Sequence, residues 1–456
     1  MSLSTEPRPA VPASTGRLTV GLCIGITAIA FESLAVATAM PRAAEELQAR
    51  EWYAWAFSVF QAAMLFAVVA SGRLCDRIGP VKPMITGMAV FGIGLVVAGL
   101  SVTMPMLVVG RAVQGLGSGA MSVALYVIIA HHYPPEKRPR LMSWTSTAWV
   151  LPGFVGPVIS GWLTEHLSWH WVFGAVVPVV LVAAALLVPI LMRLDREPLP
   201  ASDDEPDPAP IWAAALVAVA VPLLQGALQQ PGWWSVPMLV AAIALLGLGL
   251  PRLMPRGLWR LRPGIGPVIA LRGLIGGTYF ATETFAVLML VEVHQLDLRL
   301  AGLVLTVGTV GWTTGSFAQA RWHLRRDLLM TVGAGGIALG VAGVMVIALT
   351  GTPLYWLVGL AWAVGAFGMG TAYASTSVAT MRLSSAVEQG RNAASLQLAE
   401  ALAASLFSGV VGAGYAFGLR TLPGDLPLVF GSLFAGLVVT ALLAVAVSRR
   451  VGKVEH

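Results

Sequence analysis

The chain has 456 residues, of which 57% are hydrophobic and only 11% are charged. With a mean hydropathy of +0.79, it lies far from the roughly 25% charged residues of an ordinary soluble domain, so a water-soluble globule is excluded. The net charge of +6 comes from 28 Lys and Arg against 22 Asp and Glu. In a lipid-embedded chain basic residues collect in cytoplasmic loops, so no nucleic-acid partner is expected. Cys23 and Cys75 give neither a disulfide framework nor metal-ligand spacing. The apolar run that follows the polar, Pro-rich N-terminus is too long for a signal peptide and has many successors, so it reads as an uncleaved first span.

A helix needs about 20 apolar residues to cross the hydrocarbon core of a bilayer. Breaking the chain at charge clusters, Pro-Gly pairs and polar turns predicts fourteen spans: 18–39, 52–73, 84–102, 105–131, 141–164, 170–193, 211–229, 236–253, 264–293, 299–320, 328–350, 353–380, 391–418 and 426–449. With the N-terminus inside, 22 of the 28 Lys and Arg fall in cytoplasmic segments, and four (Arg42, Arg50, Arg299 and Arg420) fall outside. The other two, Arg111 and Arg272, lie within helices. This bias predicts a multi-pass protein of the cell membrane, plasma or inner, with both termini cytoplasmic. Trp52, Tyr53, Trp169, Trp233 and Trp234 sit at outer boundaries, where aromatic rings anchor helices at the interface.

The expected organisation is a cytoplasmic N-terminal tail (1–17), a six-helix bundle (18–193), an acidic Pro-rich cytoplasmic linker (194–210), an inserted transmembrane hairpin (211–253), a second six-helix bundle (264–449) and a cytoplasmic tail (450–456). The linker holds Asp195, Glu197, Asp203, Asp204, Glu205 and Asp207 among five prolines, a composition that stays flexible. The hairpin turns around Gln229, Gln230, Pro231 and Gly232. At one offset of 251 residues, Phe31-Glu32-Ser33 aligns with Thr282-Glu283-Thr284, Gly117-Ser118-Gly119 with Gly368-Met369-Gly370, and Arg140 with Arg391. Three matches in order at one offset predict a duplicated six-helix unit.

At the end of the second span, Gly72-Arg73-Leu74-Cys75-Asp76-Arg77-Ile78-Gly79 resembles the loop signature of the major facilitator superfamily. Gly72 permits close helix approach, Gly79 closes a tight turn, and Asp76 beside Arg77 offers charges that can latch one face. Pro80 and Val81 stand where that signature prefers basic residues, and Gln319 replaces the acid in a degenerate second copy. Leu107, Arg111, Gln114, Gly115, Gly117 and Gly119 resemble the second motif of proton-coupled members, and Gly153, Gly156, Pro157 and Gly161 resemble the antiporter motif, with Ser160 where a glycine is usual. Pro157 removes a ladder bond, and the glycines are expected to present a smooth face to the other half. The resemblance implies an all-α integral membrane protein of the major facilitator fold, with two six-helix bundles, an inserted hairpin and fourteen transmembrane helices. Within it, the chain is similar to the fourteen-span drug:proton antiporters.

Three carboxylates within apolar helices, Glu32, Glu283 and Glu400, are the candidate proton and substrate groups, because an acid in lipid is retained for a function or a partner. As repeat mates, Glu32 and Glu283 are expected to face one cavity from opposite sides. Arg111 must face protein or water; it either tunes a proton site or ties the fourth span to the first. Trp149, Tyr279, Trp312 and Trp362 are candidate cavity walls offering cation–π contacts. No Gly-Lys-Ser/Thr phosphate loop is present, so coupling to a gradient rather than to ATP is expected, without cofactor or metal. His131-His132 lacks an acid partner and no catalytic constellation stands out, so the chain is not expected to be an enzyme. The resemblance implies a monomer in the bilayer that exports lipophilic, in part cationic, small molecules or drugs against protons by alternating access. The alternatives are a dedicated exporter of an endogenous lipid, siderophore or secondary metabolite, and a symporter.

Overall fold

The computed structural model describes residues 15–49, 53–194, 210–229, 232–255, 257–296, 298–350, 354–385, 388–422 and 424–454. Residues 1–14 of the expected tail, nearly all of the acidic linker, and Arg50, Trp52, Gln230 and Pro231 lie outside the described residues, as does the Pro157 side chain.

Among the described residues the regular structure is entirely helical. In chain order the helices are α1 (Thr15–Glu46), α2 (Tyr53–Ile78), α3 (Val81–Gly99), α4 (Met104–His132), α5 (Arg138–His166), the short α6 (His170–Gly174), α7 (Val176–Leu194), α8 (Ile211–Gln229) and α9 (Ser235–Leu253). After them come α10 (Ile265–Glu292), α11 (Leu298–Arg321), α12 (Arg326–Thr350), α13 (Trp356–Leu383), α14 (Gln389–Thr421) and α15 (Leu426–Ser448). Eleven stretches of the described residues are long and apolar enough to cross a membrane, with α6 and α7 counted together as His170–Leu194. The polar α5 and α11, and the shorter apolar stretch Ile211–Ala227 of α8, occupy the other three expected positions.

Local chemistry sets the helix ends. Thr103 caps α4 by accepting from the Met106 amide, and Asp425 caps α15 by accepting from Leu428. Gly79 closes the turn into α3 at φ 81°, a left-handed conformation that side chains resist. Between α4 and α5, Tyr133 is buried against Thr19, its hydroxyl 3.0 Å from that of the threonine. Burial pushes its phenol up to about 12, so it stays neutral.

The helices form two packed groups, α1–α7 and α10–α15, each with a buried core. Phe91, Leu95, Trp169 and Phe173 sit in the first, and Trp362, Phe430 and Phe434 in the second. Glycine makes the tightest crossings possible. A Cβ on Gly117 would strike the Phe91 backbone of α3, and one on Gly370 would strike the Trp312 carbonyl of α11. Trp169, expected as an interfacial anchor, is instead buried: it stacks on His170 at 3.7 Å and donates to Glu46 Oε2 at 2.9 Å. Its indole has a polar partner within the protein, so it has no need of the interface. Trp233 and Trp234 are exposed, as anchors should be.

The start of α1, the stretch after α15, the α2–α3 turn and the start of α14 share one end of the molecule, the termini end. Here the two groups are bonded together. Asp76 accepts from the Gly390 and Arg391 amides at 2.6 and 2.9 Å, so its carboxylate caps α14, while Arg77 is exposed. Gln319 donates to the Pro139 carbonyl at 3.1 Å, Ser143 donates to the Ser316 carbonyl, and Ser316 donates to Ser146 at 3.1 Å. The hairpin lies against one seam between the groups: α8 packs on α9, α2 and α14, and Ala213, Ala214, Val217, Val221 and Leu224 are buried along it. Ser395 of α14 donates to the Leu253 carbonyl at the end of α9.

Candidate functional site

A cavity of about 720 Å³ opens between the two groups. Its walls come from α1, α2, α4 and α5 on one side and α10, α11, α13 and α14 on the other, with one residue each from α3, α7 and α8. Among the described residues, three charged side chains line it: Arg111, Glu283 and Glu400.

Arg111 is buried in α4 with its charge answered within its own group. It pairs with Glu32 of α1, donates to Gln114 Oε1 at 2.7 Å and to the Ala56 carbonyl at 3.3 Å, and lies 4.2 Å above the Phe60 ring. These contacts tie α4 to α1 and α2, and Arg111 also lines the cavity. Glu32 does not line the cavity. At 1% exposure it is turned onto Arg111, which corrects the expectation that it faces Glu283 across an open space. A buried carboxylate beside a guanidinium gains more from that partner than from a shared cavity.

The second group holds a pair of the same chemistry at a different place. Arg272 of α10, fully buried, donates to Glu400 Oε2 at 2.8 Å, to the Tyr373 carbonyl and Thr376 hydroxyl, each at 2.8 Å, and to Ser377 at 3.3 Å. Its guanidinium carbon lies 3.1 Å from the Tyr373 ring centroid. Tyr373 also shares a hydrogen bond with Tyr126 of α4, so this cluster reaches the first group toward the termini end. Arg272 is the residue that motif reading passed over. Its signal was the same as that of Arg111, a guanidinium in an apolar run, but no family motif surrounds it.

Glu283 is different. Among the described residues it has no cationic partner and no hydrogen-bond partner, and it lines the cavity. The duplication explains the vacancy. At the offset of 251 residues Glu283 corresponds to Glu32, but the position of Arg111 is taken by Trp362. Trp362 is fully buried behind the wall and stacks on Tyr279 at 4.4 Å, so the expectation that it lines the cavity is corrected. Gly308 opposite it makes the room, since a Cβ there would meet the indole. The lining around Glu283 is aromatic instead of basic: Tyr279 and Trp312 meet edge to face at 5.2 Å, with Phe280 beside them. Trp149, at the repeat position of Glu400, lines the wall of the first group.

In α5 two of the antiporter-like glycines, Gly153 and Gly161, do not pack against the other half. Gly156 is buried, but a Cβ on Gly153 or Gly161 would meet nothing within 4 Å. α5 and α11 are joined near the termini end by the Ser143–Ser316, Ser316–Ser146 and Gln319–Pro139 bonds, and not through Gly153 or Gly161. No group of three or more His, Cys, Asp or Glu that could hold a metal ion occurs among the described residues.

Comparison with known proteins assigns the architecture. The family model described as Major Facilitator Superfamily matches residues 21–408. Multidrug resistance protein 3 of Bacillus subtilis (strain 168) is 27% identical over 338 residues, covering 70% of this chain and 64% of the relative. An uncharacterized MFS-type transporter of Mycobacterium tuberculosis (strain ATCC 25618 / H37Rv) is 36% identical over 175 residues, 38% of this chain and 26% of that one. An efflux pump of Aspergillus brasiliensis is 26% identical over 284 residues, 59% of this chain and 50% of the relative. The chain thus spans less than two thirds of the length of these curated relatives. Among solved structures, the human organic anion transporter MFSD10 superposes with a TM-score of 0.70 at 15% identity, over 96% of this chain and 100% of that one. The proton:xylose symporter XylE superposes with a TM-score of 0.63 at 16% identity, over 96% of each chain. Apolar helices in two groups around a central cavity, and a family match over most of the length, make this chain a member of the major facilitator superfamily, whose proteins are membrane transporters of small molecules and not enzymes.

Proposed function

We propose that this protein is a proton-coupled antiporter that exports lipophilic small molecules, preferentially monovalent cations, by alternating access. In this reading all fourteen long helical segments cross the membrane with both termini cytoplasmic, and the cavity faces outward, closed by the bonds at the termini end. Lipophilic cargo is consistent with relatives named for multidrug resistance and efflux.

One observation carries the chemistry: the charges around the cavity cancel in pairs except at Glu283. Arg111 answers Glu32 and Arg272 answers Glu400, which leaves one carboxylate without a partner beside the rings of Tyr279, Phe280 and Trp312. A single ionised acid beside aromatic faces attracts an organic cation, by Coulombic and cation–π attraction, or a proton. The two compete for one site, which is the requirement for exchange: protonation from outside releases the cargo, and loss of the proton inside admits the next.

In proteoliposomes with an imposed pH gradient, wild-type protein is expected to move tetraphenylphosphonium against its concentration gradient. Glu283→Gln should remove that coupling while the protein stays folded and monodisperse. Undiminished gradient-driven movement in Glu283→Gln would overturn the assignment.

A further inference from the structure

The hairpin α8–α9 has no counterpart in the duplicated units, yet α8 supplies a side chain to the cavity: Gln225. Ala218, Val221 and Gln225 recur at helical spacing on one face. The first two are buried, and the third reaches the open space. The neighbouring walls carry two more glutamines, Gln61 on α2 and Gln397 on α14. By helical rise Gln61 and Gln225 stand about 26 and about 21 Å from the termini end, and Gln397 about 12 Å. The three amides therefore follow one seam in depth.

None of the three amides makes a hydrogen bond among the described residues, and Gln397 Nε2 is buried without a partner. The same lining of α2 and α14 carries the apolar Leu65, Val68, Ala401 and Ala404, with Glu400, already paired with Arg272, one turn from Gln397. Sealing a seam against lipid asks only for such apolar groups. An amide that lines a cavity with its donors and acceptor unused is placed to bond whatever enters.

We propose that α8 is a working wall of the transport cavity: it closes the α2–α14 seam against lipid, and Gln225 with Gln61 and Gln397 forms an amide subsite for a neutral hydrogen-bonding group of the cargo, a hydroxyl, carbonyl or amide. The subsite is separate from the acidic aromatic wall at Glu283, so one amphiphile can engage both. It rests on the cavity being the cargo site, as in the proposed function, but on neither the direction of transport nor proton coupling.

The wall is tested by labelling in lipid nanodiscs, in a Cys23→Ala/Cys75→Ala background. Gln225→Cys is expected to react with a charged, water-soluble thiosulfonate, while Val219→Cys, on the exposed outer face of α8, stays unlabelled. An unreactive Gln225→Cys, or equal labelling of the two, overturns the wall. The subsite is tested with Gln225→Leu, which keeps the volume and removes the polar atoms. Binding of doxorubicin, rich in hydroxyl and carbonyl groups, should weaken by about five- to tenfold, the effect of one lost hydrogen bond. Tetraphenylphosphonium, which has no such group, should bind unchanged. Equal effects on both probes, or none on doxorubicin, overturn the subsite. If the wild type binds neither probe, the subsite fails together with the reading of the cavity as a drug site, and the labelling result stands apart from both.

Discussion

Arg272 and Glu400 are each tolerable in a membrane interior because the other is present, whereas Glu283 stands without such support. Removing one member of a buried ion pair strands the other charge and costs about 3–5 kcal/mol, while replacing both with neutral groups is often close to neutral. Arg272→Met is therefore expected to lower the unfolding temperature in detergent markedly, and Arg272→Met/Glu400→Gln to recover most of that loss. A double variant no more stable than the single one would show that the guanidinium's bonds to Thr376 and the Tyr373 carbonyl, and not its charge partner, support the site. The identity of the charged residues was legible in the sequence because lipid makes a charge costly and therefore rare. Their direction was not. Depth along a helix follows from position, but rotation around its axis cannot be read when no face of the helix is more polar than the rest, as in α13. Glu32 was assigned to the cavity as the repeat mate of Glu283 and Trp362 as an aromatic wall, and both face inward within their own groups.

Among the helices, glycine acts at two kinds of position, which the sequence does not distinguish. Gly370 of α13 lies where a Cβ would strike the Trp312 carbonyl, whereas Gly161 of α5 faces open space. Gly370→Ala is expected to destabilise the protein by about 1–3 kcal/mol through overpacking, because a backbone carbonyl cannot move aside. Gly161→Ala should leave stability unchanged or raise it by up to about 1 kcal/mol, the helix preference for alanine. Thermal unfolding of the two variants side by side decides it, and equal losses would mean that α5 packs more tightly than its surroundings here indicate. Helix positions were legible because an apolar run of spanning length leaves little choice of structure, and turns at Pro, Gly and charge clusters mark its ends. The partners of each helix were less so. Nothing in residues 211–253 indicated that α8 would lie on α2 and α14.

Across the whole molecule, the bonds that join the two groups among the described residues gather at one end, and the proposed alternating access requires them to break together. Asp76 is central to this closure: each of its oxygens accepts from a different backbone amide of α14, and it meets the positive end of that helix. The surrounding geometry leaves no slack, since a Cβ on Gly390 would run into Gly72 and the Asp76 carboxylate. An asparagine there has one acceptor oxygen instead of two and no charge, so Asp76→Asn weakens the closed end by about 1–3 kcal/mol, the loss of a charged hydrogen bond. A two-state equilibrium shifts by a factor of ten for every 1.4 kcal/mol, so the population open at the termini end should rise by about five- to a hundredfold from a small base. Thr380 reports that opening: it is 3% exposed and lines a small void beneath the Tyr126–Tyr373 contact. In nanodiscs, Thr380→Cys should react slowly with a water-soluble maleimide when Asp76 is present and several times faster in Asp76→Asn. If the two rates are equal, the closure is carried by the Ser143–Ser316 and Gln319–Pro139 bonds between α5 and α11, and Asp76 serves only to cap α14.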